Sequence, residues 1–167
     1  MNKSRYLAYL SVGLSLGMIL SYIEFLLPPI SSAVPGVKLG LANTVVIFLL
    51  VKLGPRYAFS VSVLRVALSA LLFGSPLIMA YGIAGATLSF VVMLLLKKAS
   101  VFSLCGVSIG GGVFHNVGQI LLAILILGTK EIVYYLIPLT VSGIIAGAAV
   151  GIISVMLIKK IDLKKNY

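Results

Sequence analysis

Apolar runs long enough to cross a bilayer recur from one end of this sequence to the other, and they leave few folds open. A helix needs about 20 apolar residues to span the hydrocarbon core. Successive runs occupy residues 6–27, 38–53, 57–73, 76–96, 111–127 and 132–158. Short breaks part them: PPISSAVPG over 28–36, LGPR over 53–56, GSP over 74–76 and GTKE over 128–131. The runs are too long for strands and lack the alternation of a membrane barrel. Helices satisfy their own backbone hydrogen bonds in lipid, so they are the natural reading. The chain is therefore expected to be an all-α integral membrane protein of six transmembrane helices, a single transmembrane domain over residues 1–167. The second run is short, which suits a tilted helix or one led in by a re-entrant loop. Residues 99–110 are only moderately apolar and read as a connection. Gly110, Gly111 and Gly112 then permit a bend, a broken helix or a close backbone approach.

Composition supports this. Hydrophobic residues make up 61% of the chain and charged residues 10%, against about 25% charged in soluble domains. Such a chain cannot clothe a water-exposed surface, which excludes a soluble enzyme. Lys3 and Arg5 precede the first run, and Ser31-Ser32-Ala33 offers small residues for cleavage. That run nevertheless exceeds the about 7–15 residues of a signal-peptide core, and it carries Glu24. It reads as a retained span.

The net charge of +10 becomes informative once it is placed along the chain. With the N-terminus inside, the cytoplasmic face receives Lys3, Arg5, Lys52, Arg56, Lys97, Lys98, Lys159, Lys160, Lys164 and Lys165. The outer face receives Lys38 and Lys130. Basic residues favour cytoplasmic loops, so both termini are expected inside. This alternation also removes nucleic acid as a partner. The surroundings implied are a lipid bilayer, that of a bacterial cytoplasmic membrane once the resemblance described below is included.

Polar side chains at membrane depth are costly and mark candidate sites. Arg65 lies mid-span in FSVSVLRVALSALLF with no charged neighbour in sequence. Its planar fork suits a carboxylate or phosphate, and its alternative role is a structural pair with Glu24. Glu24, near the outer end of the first run, reads as a partner of Arg65 or Lys38, as a substrate ligand, or as an interfacial residue reaching water. VPGVKLGLAN opens the second run with Lys38 and Asn43, and free N–H groups at such a helix start attract anions. Lys38 could equally be an interfacial anchor. In GVSIGGGVFHNVGQ, His115 and Gln119 are four residues apart and share a helix face, with Asn116 beside them. The candidate substrate-binding set is therefore Glu24, Lys38, Asn43, Arg65, His115, Asn116 and Gln119.

Small residues at four-residue spacing mark close helix contacts. Gly143, Gly147 and Gly151 form one such stripe, best read as internal packing. Gly13, Gly17 and Ser21, with Ser11 and Ser15 on another face, form a second, which could pack internally or dock a membrane partner.

Catalytic readings fare poorly. The carboxylates are Glu24, Glu131 and Asp162, far apart in sequence. Prenyl or phosphoryl transfer uses metal ions bridging phosphate oxygens, and nothing here clusters to hold them. A single His and a single Cys, Cys105, argue against a metal site and exclude an internal disulfide. A Walker A loop is lacking, so the chain would not hydrolyse ATP itself. No cofactor is called for. Binding and passage of a small-molecule substrate remain.

VPGVKLGLANTV and GVSIGGGVFHNVGQ resemble the bacterial family called Gx transporter, also labelled heptaprenyl diphosphate synthase component I. The resemblance covers nearly the whole chain, including the Arg65 region and the Gly-rich last run. It implies a likeness to the substrate-binding S components of energy-coupling factor transporters, which are six-helix membrane proteins. It further implies a partner membrane coupling protein with cytoplasmic ATPases, driving uptake of a vitamin-like or precursor molecule. S components often dock through AxxxA in the first helix. Here Ala8 is followed by Val12, so Ser11, Gly13, Ser15 and Gly17 would have to serve. The synthase label implies an alternative, a non-catalytic accessory subunit of isoprenoid or quinone synthesis. One Asp in the whole chain does not provide aspartate-rich metal motifs.

Overall fold

A computed structural model describes residues 3–26, 40–128 and 130–161. Lys38, Asp162, Lys164 and Lys165 lie outside the described residues. Those described are helical, with no strand among them. The α-helices are α1 (Lys3–Leu26), α2 (Asn43–Lys52), α3 (Pro55–Phe73), α4 (Pro76–Ala99), α5 (Leu104–Leu127) and α6 (Leu136–Lys160), with a 3-10 turn at Lys130–Tyr135 before α6. Five helical segments are long and apolar enough to cross a membrane, and α2 is not.

Local chemistry sets the helix limits. Pro55 and Pro76 open α3 and α4 at the first helical position, where a missing N–H costs nothing. Gly54, with φ +102, makes the turn before α3. Gly128, with φ +67, ends α5 in the left-handed conformation that glycine adopts without strain. Ser103 Oγ accepts from Gly106 N at 3.1 Å and caps α5. Ser103→Ala should lower stability by about 1 kcal/mol and Ser103→Asn should restore it, as measured by thermal unfolding in detergent.

Two expectations need correction. Within the second run, residues 40–42 are not helical, and the described helix starts at Asn43 and has ten residues. At 1.5 Å per residue it rises about 15 Å, half the hydrocarbon thickness. The fifth helix does not start near residue 111 but at Leu104, so residues 104–110 belong to it. Gly110, Gly111 and Gly112 lie inside this continuous helix and neither break it nor form a loop.

Those glycines serve as contact points. A Cβ on Gly112 would collide with the Gly143 carbonyl oxygen. One on Gly147 would sit 2.7 Å from Ile109 Cα, and one on Gly151 2.9 Å from Cys105 Cα. On the other side of α5, a Cβ on Gly118 would meet the Ala84 oxygen at 2.8 Å. Lipid tails are as apolar as leucine, so burial of apolar surface does not drive helix association in a membrane; close packing does. These contacts fasten α4, α5 and α6 backbone to backbone.

The remaining helices pack through side chains. α3 lies against α1 and α4, and α2 against α1, α3 and α6. α2 is the most enclosed element, with Val46, Ile47, Leu49 and Leu50 each 1% exposed. Lys97 Nζ, at the end of α4, donates to the Leu50 oxygen at 2.7 Å and helps satisfy the end of α2. Elsewhere large apolar side chains face outward, Leu71, Leu125 and Ile137 among them, as a lipid-facing surface requires.

α2, the short helix among those described, packs against α1, α3 and α6, and its first residue, Asn43, borders a cavity between the helices.

Candidate functional site

The open interior is a cavity of about 570 Å³, within the range of small-molecule sites. α1 contributes Ser21 and Glu24, α2 Asn43 and Ile47, and α3 Arg65 and Ser69. α5 contributes Ser108, His115, Asn116 and Gln119, and the glycines of α6 close the far side. Of the residues expected from sequence, Glu24, Asn43, Arg65, His115, Asn116 and Gln119 all line this space. Lys38 falls outside the described residues.

Arg65 dominates the electrostatics. It is 8% exposed. Its Nη1 donates to Ser21 Oγ at 2.8 Å and its Nη2 to Asn43 Oδ1 at 3.3 Å. Nε is buried and has no hydrogen-bond partner among the described residues. Glu24 adds a favourable coulombic attraction, so the direct bonds of Arg65 go to neutral groups on α1 and α2. A guanidinium has five N–H donors, and two are engaged here. Gly17 lets α1 come close, since a Cβ there would lie 3.0 Å from Arg65 Cδ.

Glu24 is 9% exposed and does not reach out to water as an interfacial residue would. Its Oε1 accepts a hydrogen bond from Leu41 N, tying the end of α1 to the turn that starts α2. Gly40, with φ +69, makes that turn.

On α5 the polar residues lie on successive turns facing α4 and α6. Asn116 Nδ2 donates to the Leu139 oxygen at 2.6 Å, so part of its hydrogen-bonding capacity is used in holding α6. His115 packs on Gly85 of α4, where an added Cβ would meet its Cε1 at 3.0 Å and the Gln119 Cγ at the same distance. Ser108 lies nearer the start of α5, 3% exposed, and its Oγ has no hydrogen-bond partner among the described residues.

Sequence reasoning did not assign Ser108 or Ser21 to the site. The available signal was helical spacing. Ser108, Gly111, His115 and Gln119 follow one face at intervals of three and four, and Ser21 precedes Glu24 by three. The small-residue stripe of α1 is divided by the structure. Ser11 and Ser15 are exposed, whereas Gly13 and Gly17 are buried against Leu49 and Arg65. The two glycines are thus occupied by the chain's own packing.

Among the described residues, a bundle of helices long and apolar enough to cross a membrane, with a partly open cavity lined by Arg65, defines the class: a multi-pass membrane protein with a small-molecule-sized cavity. The sequence profile described as heptaprenyl diphosphate synthase component I matches residues 14–157, and the chain belongs to that family. Comparison with curated proteins and with solved structures gave no match.

Proposed function

We propose that the chain is the substrate-binding membrane subunit of an uptake system, acting by binding and reorientation rather than by catalysis. The observation that carries this reading is Arg65, a buried arginine among the residues that line a partly open cavity. A cation at membrane depth is expensive unless paired or hydrated. A chain that needed only a stable bundle would not keep one beside an open space. In this reading Glu24, Asn43, His115, Asn116 and Gln119 complete the binding surface, and Lys38 joins them from the segment outside the described residues.

The distribution of lysine and arginine supports both termini on the cytoplasmic side of a bacterial membrane. α2 counts as the second of six crossings in one transmembrane domain. Energy comes from a separate membrane coupling protein with cytoplasmic ATPases. The exposed Ser11 and Ser15 face of α1 is the part of the small-residue stripe available to dock it.

The family description favours a second reading, an accessory subunit of a polyprenyl diphosphate synthase. Copurification separates the two. A coupling protein with ATPases supports uptake, and a soluble prenyl synthase supports the accessory role. Native mass spectrometry of the purified protein should show a retained small molecule. Its absence in gently solubilised protein, together with no binding to any probe, would sink the uptake reading.

Gly17 offers a narrower check. Gly17→Ala places a methyl against the flexible stem of Arg65, which can yield by a few tenths of an ångström. Gly17→Val crowds that stem further and shifts the guanidinium off Ser21 and Asn43. The retained molecule should survive the first change and be lost in the second, read by native mass spectrometry on monodisperse protein.

A further inference from the structure

Resting on the reading of the cavity as a ligand site, we propose that the ligand carries a cyclic cis-amide edge, that of a lactam or imide on a flat ring system, and that Gln119 reads this edge with two paired hydrogen bonds. The starting point is which polar groups of the wall are already engaged.

Several have partners within the chain. Arg65 gives Nη1 to Ser21 and Nη2 to Asn43, and its Nε is buried. Ser69 Oγ donates to Met18 Sδ at 3.4 Å, and Asn116 Nδ2 donates to the Leu139 oxygen. Gln119 lines the same cavity, and its carboxamide has no hydrogen-bond partner among the described residues. Unlike Arg65 Nε and Ser108 Oγ, its oxygen and nitrogen are not sealed off, so a ligand can reach them. A glutamine at membrane depth is costly, and one that served to join helices would bond across to a neighbour, as Asn116 does. Gln119 makes no such bond.

Its place is set by the packing of α5 on α4. A Cβ on Gly85 would lie 3.0 Å from Gln119 Cγ, so the glycine makes room for the stem. The two helices run antiparallel, with Gly118 against Ala84 and Gly85, and Gly111 against Ser89 and Met93. Residue 119 therefore lies toward the start of α4, where Tyr81 sits one turn before Gly85 on the same face. A Cβ on Gly82 would meet Val66 Cγ1 at 2.6 Å, which sets this stretch of α4 level with the middle of α3. Gln119, Tyr81 and Arg65 thus lie within about one helical turn of each other in depth.

The carboxamide defines the ligand's chemistry. Oε1 accepts and Nε2–H donates along one edge. The matching group offers an N–H and a C=O side by side, as lactams and imides do. A trans amide of the peptide kind turns the two to opposite sides and engages one end at a time. Arg65 and Glu24, the Lys, Arg, Asp or Glu side chains among the described lining residues, are opposite in sign. A group that binds through hydrogen bonds without net charge suits that balance. Phe25, Phe73 and Tyr81 line the cavity as well, and aromatic faces favour a flat body.

Three probes of nearly equal shape test the assignment on the full chain in lipid nanodiscs, by saturation-transfer NMR and titration. 2-Quinolone presents the lactam N–H beside its C=O. N-Methyl-2-quinolone keeps the carbonyl and blocks the donor, and coumarin has a ring oxygen in place of the N–H. 2-Quinolone should bind about tenfold more tightly than either. Gln119→Met, similar in length and lacking both polar groups, should bring 2-quinolone down to the coumarin level or below. Coumarin itself should change by less than about threefold, which also shows that the cavity is intact in the variant.

Equal affinity of the three probes for the unaltered chain would overturn the proposal, whether or not the variant folds. So would a Gln119→Met change that weakened all three alike. A molecule retained in native mass spectra that had no cis-amide edge would overturn the ligand class and leave the uptake reading standing. An empty protein that bound no probe would overturn both.

Discussion

Gly112→Leu should leave no folded protein. The Cβ of any side chain there would collide with the Gly143 carbonyl oxygen and come within 3.3 Å of its carbon and 3.4 Å of Gly147 Cα. Most overpacking is relieved by a neighbouring side chain turning aside, and it costs about 1–3 kcal/mol. At Gly112 the neighbours are backbone atoms of a second helix, so relief requires α5 and α6 to separate. That separation propagates, because Gly147 and Gly151 rest on Ile109 and Cys105 of the same interface. A loss beyond about 3 kcal/mol is expected, large against the whole stability of most domains. It would be read as aggregation in size-exclusion chromatography and loss of a cooperative thermal transition. Gly128 gives the contrast. A Cβ there meets nothing within 4 Å, and only its φ of +67 resists substitution. Gly128→Asn should therefore remain folded. If Gly112→Leu were as stable as Gly128→Asn, the backbone contact would not be what joins these helices.

The second large effect is on binding. Arg65→Leu should reduce affinity for the retained molecule by about 2–5 kcal/mol, the range for removing one partner of a buried charged contact. That corresponds to between thirtyfold and several thousandfold. Stability should change less. Ser21 Oγ and Asn43 Oδ1 lose their donor, but both border a cavity that water can enter, so about 1 kcal/mol each is a reasonable cost. The two effects separate experimentally, by native mass spectrometry for retention and thermal unfolding for stability. A variant that kept its ligand and lost only stability would make Arg65 a strut between α1, α2 and α3. A double-mutant cycle with Asn43→Leu would then show whether their coupling belongs to folding or to binding.

How much of this was legible beforehand differs between fold and site. The helices of α1, α3, α4 and α6 announce themselves because lipid forces a continuous apolar run into one hydrogen-bonded unit. α2 was overextended for a specific reason. VPGVKLGLAN is apolar enough to count as span, yet Gly40, with φ +69, makes a turn, and the described helix begins only at Asn43. α5 was truncated for the opposite reason. A glycine costs about 1 kcal/mol relative to alanine in a helix in water, so three in a row read as a break. Inside a bundle they allow the approach of α6, and the contact offsets the propensity.

The polar residues were easier. Glu24, Asn43, Arg65, His115, Asn116 and Gln119 are expensive in lipid, and a bundle has one interior in which to place them. Their convergence on one cavity follows from that cost. Ser108 and Ser21 carried no comparable signal, because serine is cheap in a membrane helix and bonds to its own backbone. Their roles depend on which face of which helix looks inward, which no single stretch of sequence states.

The brevity of α2 carries a consequence for how such a protein can change. Gly40 and Asn43, at the start of α2, both line the cavity, so the place where this helix begins helps to set the cavity's limits. One further turn at the start of α2 would carry that helix about 5.4 Å further along the cavity. Descendants of such a chain could thus acquire a taste for shorter or longer cargo by sliding a single helix boundary, while the rest of the architecture stayed as it was.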